Sequence, residues 1–319
     1  MFGSGLKHLI VIPLVVLSWF LPGLPALAEV DNLIARSLAF EGLKRKYFVH
    51  APPGYDPGKQ IALVLLFHEE NQKAKELSDV TGFNTIADRY NFLVVYPEAV
   101  KGTWKDGRKI NWSHTYDDVG FVKKLIEHLE QTWNIDRTRV FAAGFGNGGF
   151  FTQKLALDVP DQFAGIASVA ATLPKIVVSK RRAHEPVSVL LILGKDDPIV
   201  PFDGGYVGAG KLKKHRGLVV SASDAVKFWV GENKCSDTYK EGSWPDLDPT
   251  DECSVKWIQY TQCKSDSEVV LFAVLGGGHC WPGARKDSSA RKYGAMCRDL
   301  DASMEIWRFF AKHQVAALR

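Results

Sequence analysis

The chain has 319 residues, with 40 Lys and Arg against 36 Asp and Glu, a net charge of +4 and 46% hydrophobic residues. These are ordinary globular proportions, and so mild a positive balance gives no argument for nucleic-acid binding. The length suits a single α/β domain rather than a small stapled module.

In chain order, Lys7 and His8 precede an apolar run from Leu9 to Phe20, broken only by Ser18. Pro22, Gly23 and Pro25 come next, and then Ala26-Leu27-Ala28. This is the layout of a secretory signal cleaved after Ala28, with small residues where a signal peptidase inspects the chain. The run falls short of the roughly 20 residues that a membrane span needs. Residues 29–319 are then one domain, secreted or periplasmic, with no membrane span after signal cleavage. Strands are predicted at Tyr47 to His50, at the wholly apolar Ile61 to Phe67, and at Phe92 to Tyr96. Phe121, Leu125, Leu129 and Trp133 recur every four residues between Asp117 and Trp133, with Val122 and Ile126 widening the stripe, so this is an amphipathic helix. Asp117 and Asp118 read as its cap. A strand at Arg139 to Ala143 meets a glycine-rich turn and a helix near Gly148 to Leu157. Further strands are predicted at Ile166 to Ala170, Val187 to Leu193 and Val269 to Val274, and a last helix near Ala302 to His313 turns Ile306, Phe309 and Phe310 inward. Buried strands alternating with helices imply a doubly wound, mostly parallel sheet with helices on both faces. The polar stretch Ser236 to Asp251 reads as a surface insertion. The basic clusters Lys180-Arg181-Arg182 and Lys211 to Arg216 read as solvated loops, or as docking points for an anionic polymer.

Five cysteines, at 235, 253, 263, 280 and 297, lie in the last third. In an exported chain two bridges and one spare thiol are expected. Five choices of spare and three pairings each make fifteen arrangements, and the sequence selects none. The working expectation is Cys235–Cys263 with Cys280–Cys297; buried thiols are the other reading.

The chemistry concentrates at Gly144-Phe145-Gly146-Asn147-Gly148-Gly149, where a strand runs through glycines straight into a helix. This is the frame of the nucleophile elbow G-x-S-x-G, with Gly144 and Gly148 as the outer glycines. The nucleophile position holds Gly146, which has no hydroxyl. A glycine-rich strand–helix turn is weak evidence alone, because phosphate-binding turns look alike. The order of two later residues strengthens it. Asp197 comes after one buried strand and His279, in Gly276-Gly277-Gly278-His279-Cys280-Trp281-Pro282-Gly283, after another. Nucleophile position, acid, then histidine is the α/β-hydrolase order, with the acid orienting an imidazole general base. Taken singly, Asp197 could be a turn cap before Pro198, and His279 a packed loop histidine. The loop after Ile61 to Phe67 reads His68-Glu69-Glu70-Asn71, so the backbone N–H groups of Glu69 and Asn147 are the expected oxyanion donors. His68 and Trp281 are candidate substrate contacts, and Trp104 and Trp112 are either stacking surfaces or packing. No ligand spacing supports a metal at His68, Glu69 and His279.

On these landmarks the chain resembles the secreted polyhydroxybutyrate depolymerase and feruloyl esterase group of α/β-hydrolases. The matching stretches are Ala51-Pro52-Pro53-Gly54-Tyr55, Thr81-Gly82-Phe83, Val95-Tyr96-Pro97, Asp117 to Phe121, the elbow, Gly194 to Pro201 and Gly277 to Gly283. The resemblance implies the α/β-hydrolase fold, a Ser–His–Asp triad, no cofactor, and ester-bearing partners, either polyesters or feruloylated polysaccharides. Two positions depart from the group's pattern: glycine replaces serine at 146, and the group's His-Gly is His68-Glu69. Three expectations stand side by side. One is a non-catalytic homologue with an ester- or glycan-binding cleft. The second is a weak esterase in which His279, oriented by Asp197, activates water. The third is a variant form of an otherwise active esterase.

Overall fold

Seven consecutive apolar residues, Ile61–Phe67, form strand β3, and all seven are buried. Such a run has no solvent face, so helices must cover both sides. In the computed structural model they do. The structure describes residues 33–108, 116–179, 185–208, 216–284 and 293–315, all within one unit, Asn32–Arg319. The expected signal segment and Trp112 lie outside the described residues, as do Lys180-Arg181-Arg182 and all but Arg216 of the second basic cluster.

The other strands are β1 (Ile34–Phe40), β2 (Leu43–His50), β4 (Leu93–Pro97), β5 (Ile135–Phe145), β6 (Gly165–Val169), β7 (Ser188–Gly194), β8 (Gly205–Tyr206), β9 (Leu218–Val219), β10 (Lys240–Ser243), β11 (Ser254–Tyr260) and β12 (Val269–Leu275). Helices are α1 (Ala74–Thr81), α2 (Phe83–Tyr90), α3 (Asp118–Glu130), α4 (Asn147–Asp158), α5 (Lys175–Ser179), α6 (Ala222–Glu232) and α7 (Ala302–Phe310). The main sheet runs β1-β2-β4-β3-β5-β6-β7-β12-β11-β10. Its centre, from β4 to β12, is parallel, and both flanks are antiparallel. The expected α/β-hydrolase architecture is therefore present. The stretch 236–251 is not merely an insertion, since β10 within it extends the sheet edge.

Alternation along β3 divides the core. Leu63, Leu65 and Phe67 pack with α3, α4 and α6, whereas Ala62, Val64 and Leu66 pack with α1, α2 and α7. Asp117 caps α3 by accepting the Gly120 N–H at 2.9 Å. Asp118 instead forms a buried pair with Arg45 at 2.7 Å, and that guanidinium lies over the Phe121 ring.

The disulfides are Cys235–Cys263 and Cys253–Cys297. The expected Cys280–Cys297 bridge is thus corrected. Cys253, just before β11, faces Cys297, while Cys280 stays a buried thiol directed at the Ala295 carbonyl oxygen, 3.3 Å away. Among the described residues no helix is long and apolar enough to cross a membrane.

Candidate active site

Parallel strands place their carboxyl ends together, and loops leaving that edge converge where such sheets bind ligands. Four loops do so here. Glu69 follows β3, Gly146 follows β5, Asp197 follows β7 and His279 follows β12.

The turn from β5 into α4 is tight because backbone nearly touches backbone. A Cβ on Gly144 would lie 2.3 Å from the Gly148 carbonyl, and one on Gly148 would lie 2.0 Å from the Phe67 oxygen. Gly146 has φ 50° and ψ −111°, a region strained for any side-chain-bearing residue. This is the backbone of a nucleophile elbow.

A carboxylate fills the place where the side chain of residue 146 would stand. A Cβ built on Gly146 would lie 1.1 Å from Oε2 of Glu69 and 2.3 Å from its Cδ. The same Oε2 accepts the Asn147 N–H at 3.0 Å and meets His279 Nε2 at 3.2 Å. Oε1 accepts the Glu70 N–H at 2.6 Å. On its other side, His279 Nδ1 donates to Asp197 Oδ2 at 2.7 Å, and Asp197 Oδ1 accepts the Ile199 and Val200 N–H groups. Asp197 therefore both caps its turn and orients the imidazole. Burial alone would lower the His279 pKa, but hydrogen bonds to Asp197 and Glu69, with their charges, outweigh it and raise the pKa to about 10. At neutral pH the ring is an imidazolium between two carboxylates.

The oxyanion donors are both engaged within the protein. Asn147 N–H serves Glu69 Oε2, and Glu69 N–H donates to Gln72 Oε1 at 3.0 Å. The expectation of Glu69 as a backbone donor is corrected accordingly: its carboxylate, not its amide, enters the site. The Asn147 side chain is fixed from below by the Trp104 backbone and by Asp106, which Arg108 holds in turn.

Two substrate contacts are also corrected. His68 is fully buried, donates from Nδ1 to the Glu69 carbonyl oxygen and accepts the Ala99 N–H at Nε2; burial lowers its pKa, which keeps it neutral. It shapes the loop that aims Glu69. Trp281 is 2% exposed, donates to Ser303 Oγ and packs edge-on against Phe83 and Phe145. Trp104 is likewise core, stacked on Phe151 and donating to the His68 carbonyl oxygen. Sequence reasoning missed the reach of the Glu69 side chain and the supporting roles of Gln72 and Asp106. The one available signal was a long acid at 69 accompanying a glycine at 146.

Asp251, Cys253, Cys297 and Asp299 bring ligand-type atoms within 4.8 Å of one another. Their capacity is used internally: the sulfurs form the disulfide, Asp251 accepts from Cys253 and Arg298, and Asp299 accepts from Leu247 and Asp248. A cavity of about 220 Å³ between β11, β12 and α7, lined by Trp244, Trp257, Phe272 and Arg308 among others, shares no residue with the Glu69–His279–Asp197 group.

Sheet, elbow and loop order together define an α/β-hydrolase of esterase type. Residues 45–203 match the model of the Esterase PHB depolymerase family. The inferred esterase NocK of Nocardia uniformis subsp. tsuyamanensis is 30% identical over 84% of this chain and 80% of its own length. The chain belongs to this esterase family. Feruloyl esterase B of Piromyces equi is 26% identical over 74% of this chain but only 42% of its own length. Poly(3-hydroxyalkanoate) depolymerase C of Paucimonas lemoignei is 24% identical over 82% of this chain and 66% of its own. Among solved structures, the acetyl xylan esterase from Aspergillus awamori shares the fold at a TM-score of 0.52, with 12% identity over 83% of this chain and 94% of that one.

Proposed function

We propose that this chain is a secreted or periplasmic member of its family that has lost covalent ester hydrolysis and serves as a binding homologue. Its ligands are esters of the kinds named in its relatives, feruloyl esters or polyhydroxyalkanoates, or the acids and glycans they join. One observation carries the reading: the Glu69 carboxylate occupies the space of a serine side chain at 146 and forms an ion pair with His279. A protonated imidazole has no lone pair with which to take a proton from serine or water. Both oxygens of Glu69 accept hydrogen bonds, so the carboxylate is no ready nucleophile either. Loss of a triad serine costs on the order of a million-fold in a well-studied protease, with roughly a thousand-fold over water remaining. The two disulfides support an oxidising compartment.

The test is hydrolysis of aryl acetates, methyl ferulate and short hydroxybutyrate esters by the native chain, by Gly146→Ser, and by Gly146→Ser with Glu69→Gly. The expected result is a silent native chain and turnover only in the double variant. Rapid native turnover with an acyl-enzyme burst would overturn the reading. Weak native turnover, abolished by His279→Ala and lacking a burst, would instead establish direct water attack aided by His279 and Asp197.

A further inference from the structure

The group that closes the site also shows what the site recognises. A carboxylate sits there with one oxygen between the first N–H of the twelve-residue helix α4 and a buried histidine ring, at 3.0 and 3.2 Å. Helix N-terminus and imidazolium both favour negative charge. The histidine ring is fixed from behind by Asp197 at 2.7 Å, and Asn147 is fixed by Trp104 and Asp106. These two donors are therefore held in place by groups other than Glu69. Gly146 leaves room for the carboxylate, where any larger residue would evict it. Glu69 itself is the one acidic member with an outlet to solvent: its side chain is 23% exposed, against 2% for Asp197.

We propose that the site is a receptor for an organic monocarboxylate, with Glu69 as a tethered stand-in that a free acid displaces. This rests on the binding reading above and names its ligand class: the acid half of an ester rather than the intact ester. Exchange of one carboxylate for another leaves the charge around His279 unchanged. The incoming acid takes the Asn147 N–H and the His279 Nε2–H, and Glu69 rotates outward to water. No covalent bond is made or broken. Because Glu69 is tethered, it competes at an effective concentration on the order of millimolar or higher. Native affinity is consequently weak, and removal of Glu69 unmasks it.

Calorimetric titration of sodium butyrate and sodium ferulate, against methyl butyrate and methyl ferulate, tests this in the native chain, in Glu69→Gly, and in Glu69→Gly with His279→Gln. The expected result is acid binding in Glu69→Gly on the order of tenfold or more tighter than in the native chain, loss of that binding when His279 is also replaced, and no comparable gain for the esters. Equal binding of acid and ester, or no acid binding by folded Glu69→Gly, overturns the proposal. Should Glu69→Gly fail to fold, nitrogen NMR of the His279 ring in the native chain decides it: a shift with saturating butyrate but not with its methyl ester supports displacement, and no shift overturns it. Failure here leaves the absence of covalent catalysis standing, since that is judged by turnover. Native turnover in the ester assay would sink that reading without touching acid binding.

Discussion

Replacing Gly146 by serine perturbs two separable terms. The first is backbone strain: a residue with a side chain at φ 50° and ψ −111° costs about 1–3 kcal/mol. The second is displacement of Glu69, because the new Cβ would fall 1.1 Å from Oε2. Displacement leaves His279 paired on one side only and strips Asn147 N–H of its acceptor. Breaking a buried ion pair costs about 3–5 kcal/mol, and with Glu69 at 23% exposure the lower figure, roughly 3 kcal/mol, applies. Gly146→Ser should therefore cost about 4–6 kcal/mol and Glu69→Gly about 3 kcal/mol. The double variant loses the Glu69 contacts only once, so it should cost about as much as Gly146→Ser alone. Denaturant unfolding of the four proteins gives a coupling energy expected near 3 kcal/mol. Additive costs, with coupling below about 0.5 kcal/mol, would show that Glu69 does not occupy that space in solution.

The folded pKa of His279, raised to about 10 from an ordinary 6.5, fixes a pH trend. A raised basic pKa contributes stability that is complete below 6.5 and disappears as pH climbs through about 10, and the interval corresponds to at most roughly 5 kcal/mol. The stability difference between the native chain and His279→Gln should shrink steadily from pH 7 to 10; a difference that is constant or widens refutes the imidazolium. Asp197→Asn removes the first of the two hydrogen bonds that raise this pKa, so the NMR titration midpoint of His279 should fall below the native one. Asp118→Ala should destabilise by about 3–5 kcal/mol in thermal unfolding, because it strands Arg45, 1% exposed, without its partner. The chain unfolded without reductant should show a single titratable thiol, Cys280. Replacing Cys253 and Cys297 together should cost about 2–5 kcal/mol.

Where the sequence spoke clearly, it did so through burial. Ile61–Phe67, Val187–Leu193 and Val269–Val274 are read as strands because a central parallel strand has no polar face, and they appear as β3, β7 and β12. Flanking strands carry weaker signals. In β1 polar Arg36 and Ser37 interrupt the apolar pattern, and β11 places Lys256 and Gln259 among apolar residues, so both escape a search for apolar runs. The α6 helix is announced by Ser221, which caps it by accepting the Asp224 N–H, a pattern easily passed over.

The site was legible as positions on strand ends but not as contacts. Motif order placed Gly146, Asp197 and His279 at strand ends, and the loop after β3 was expected to meet them. A backbone pattern cannot state how far a glutamate reaches across a gap of 78 residues in sequence, from Glu69 to Asn147. Nor could composition distinguish Trp281 as a binding surface from Trp281 as packing; only its 2% exposure decides that. The disulfide partner of Cys297 was similarly open, because several cysteine spacings fit and only the packing of β11 against the loop before α7 selects Cys253.

No side chain of this site should accept a covalent adduct while Glu69 stands at the elbow. Intact-mass spectrometry after incubation with a serine-directed phosphonate tests this most directly. The expected result is an unchanged mass for the native chain and a single added phosphonyl group on the Gly146→Ser, Glu69→Gly variant. A stoichiometric adduct on the native chain, mapped to any residue of this site, would contradict it.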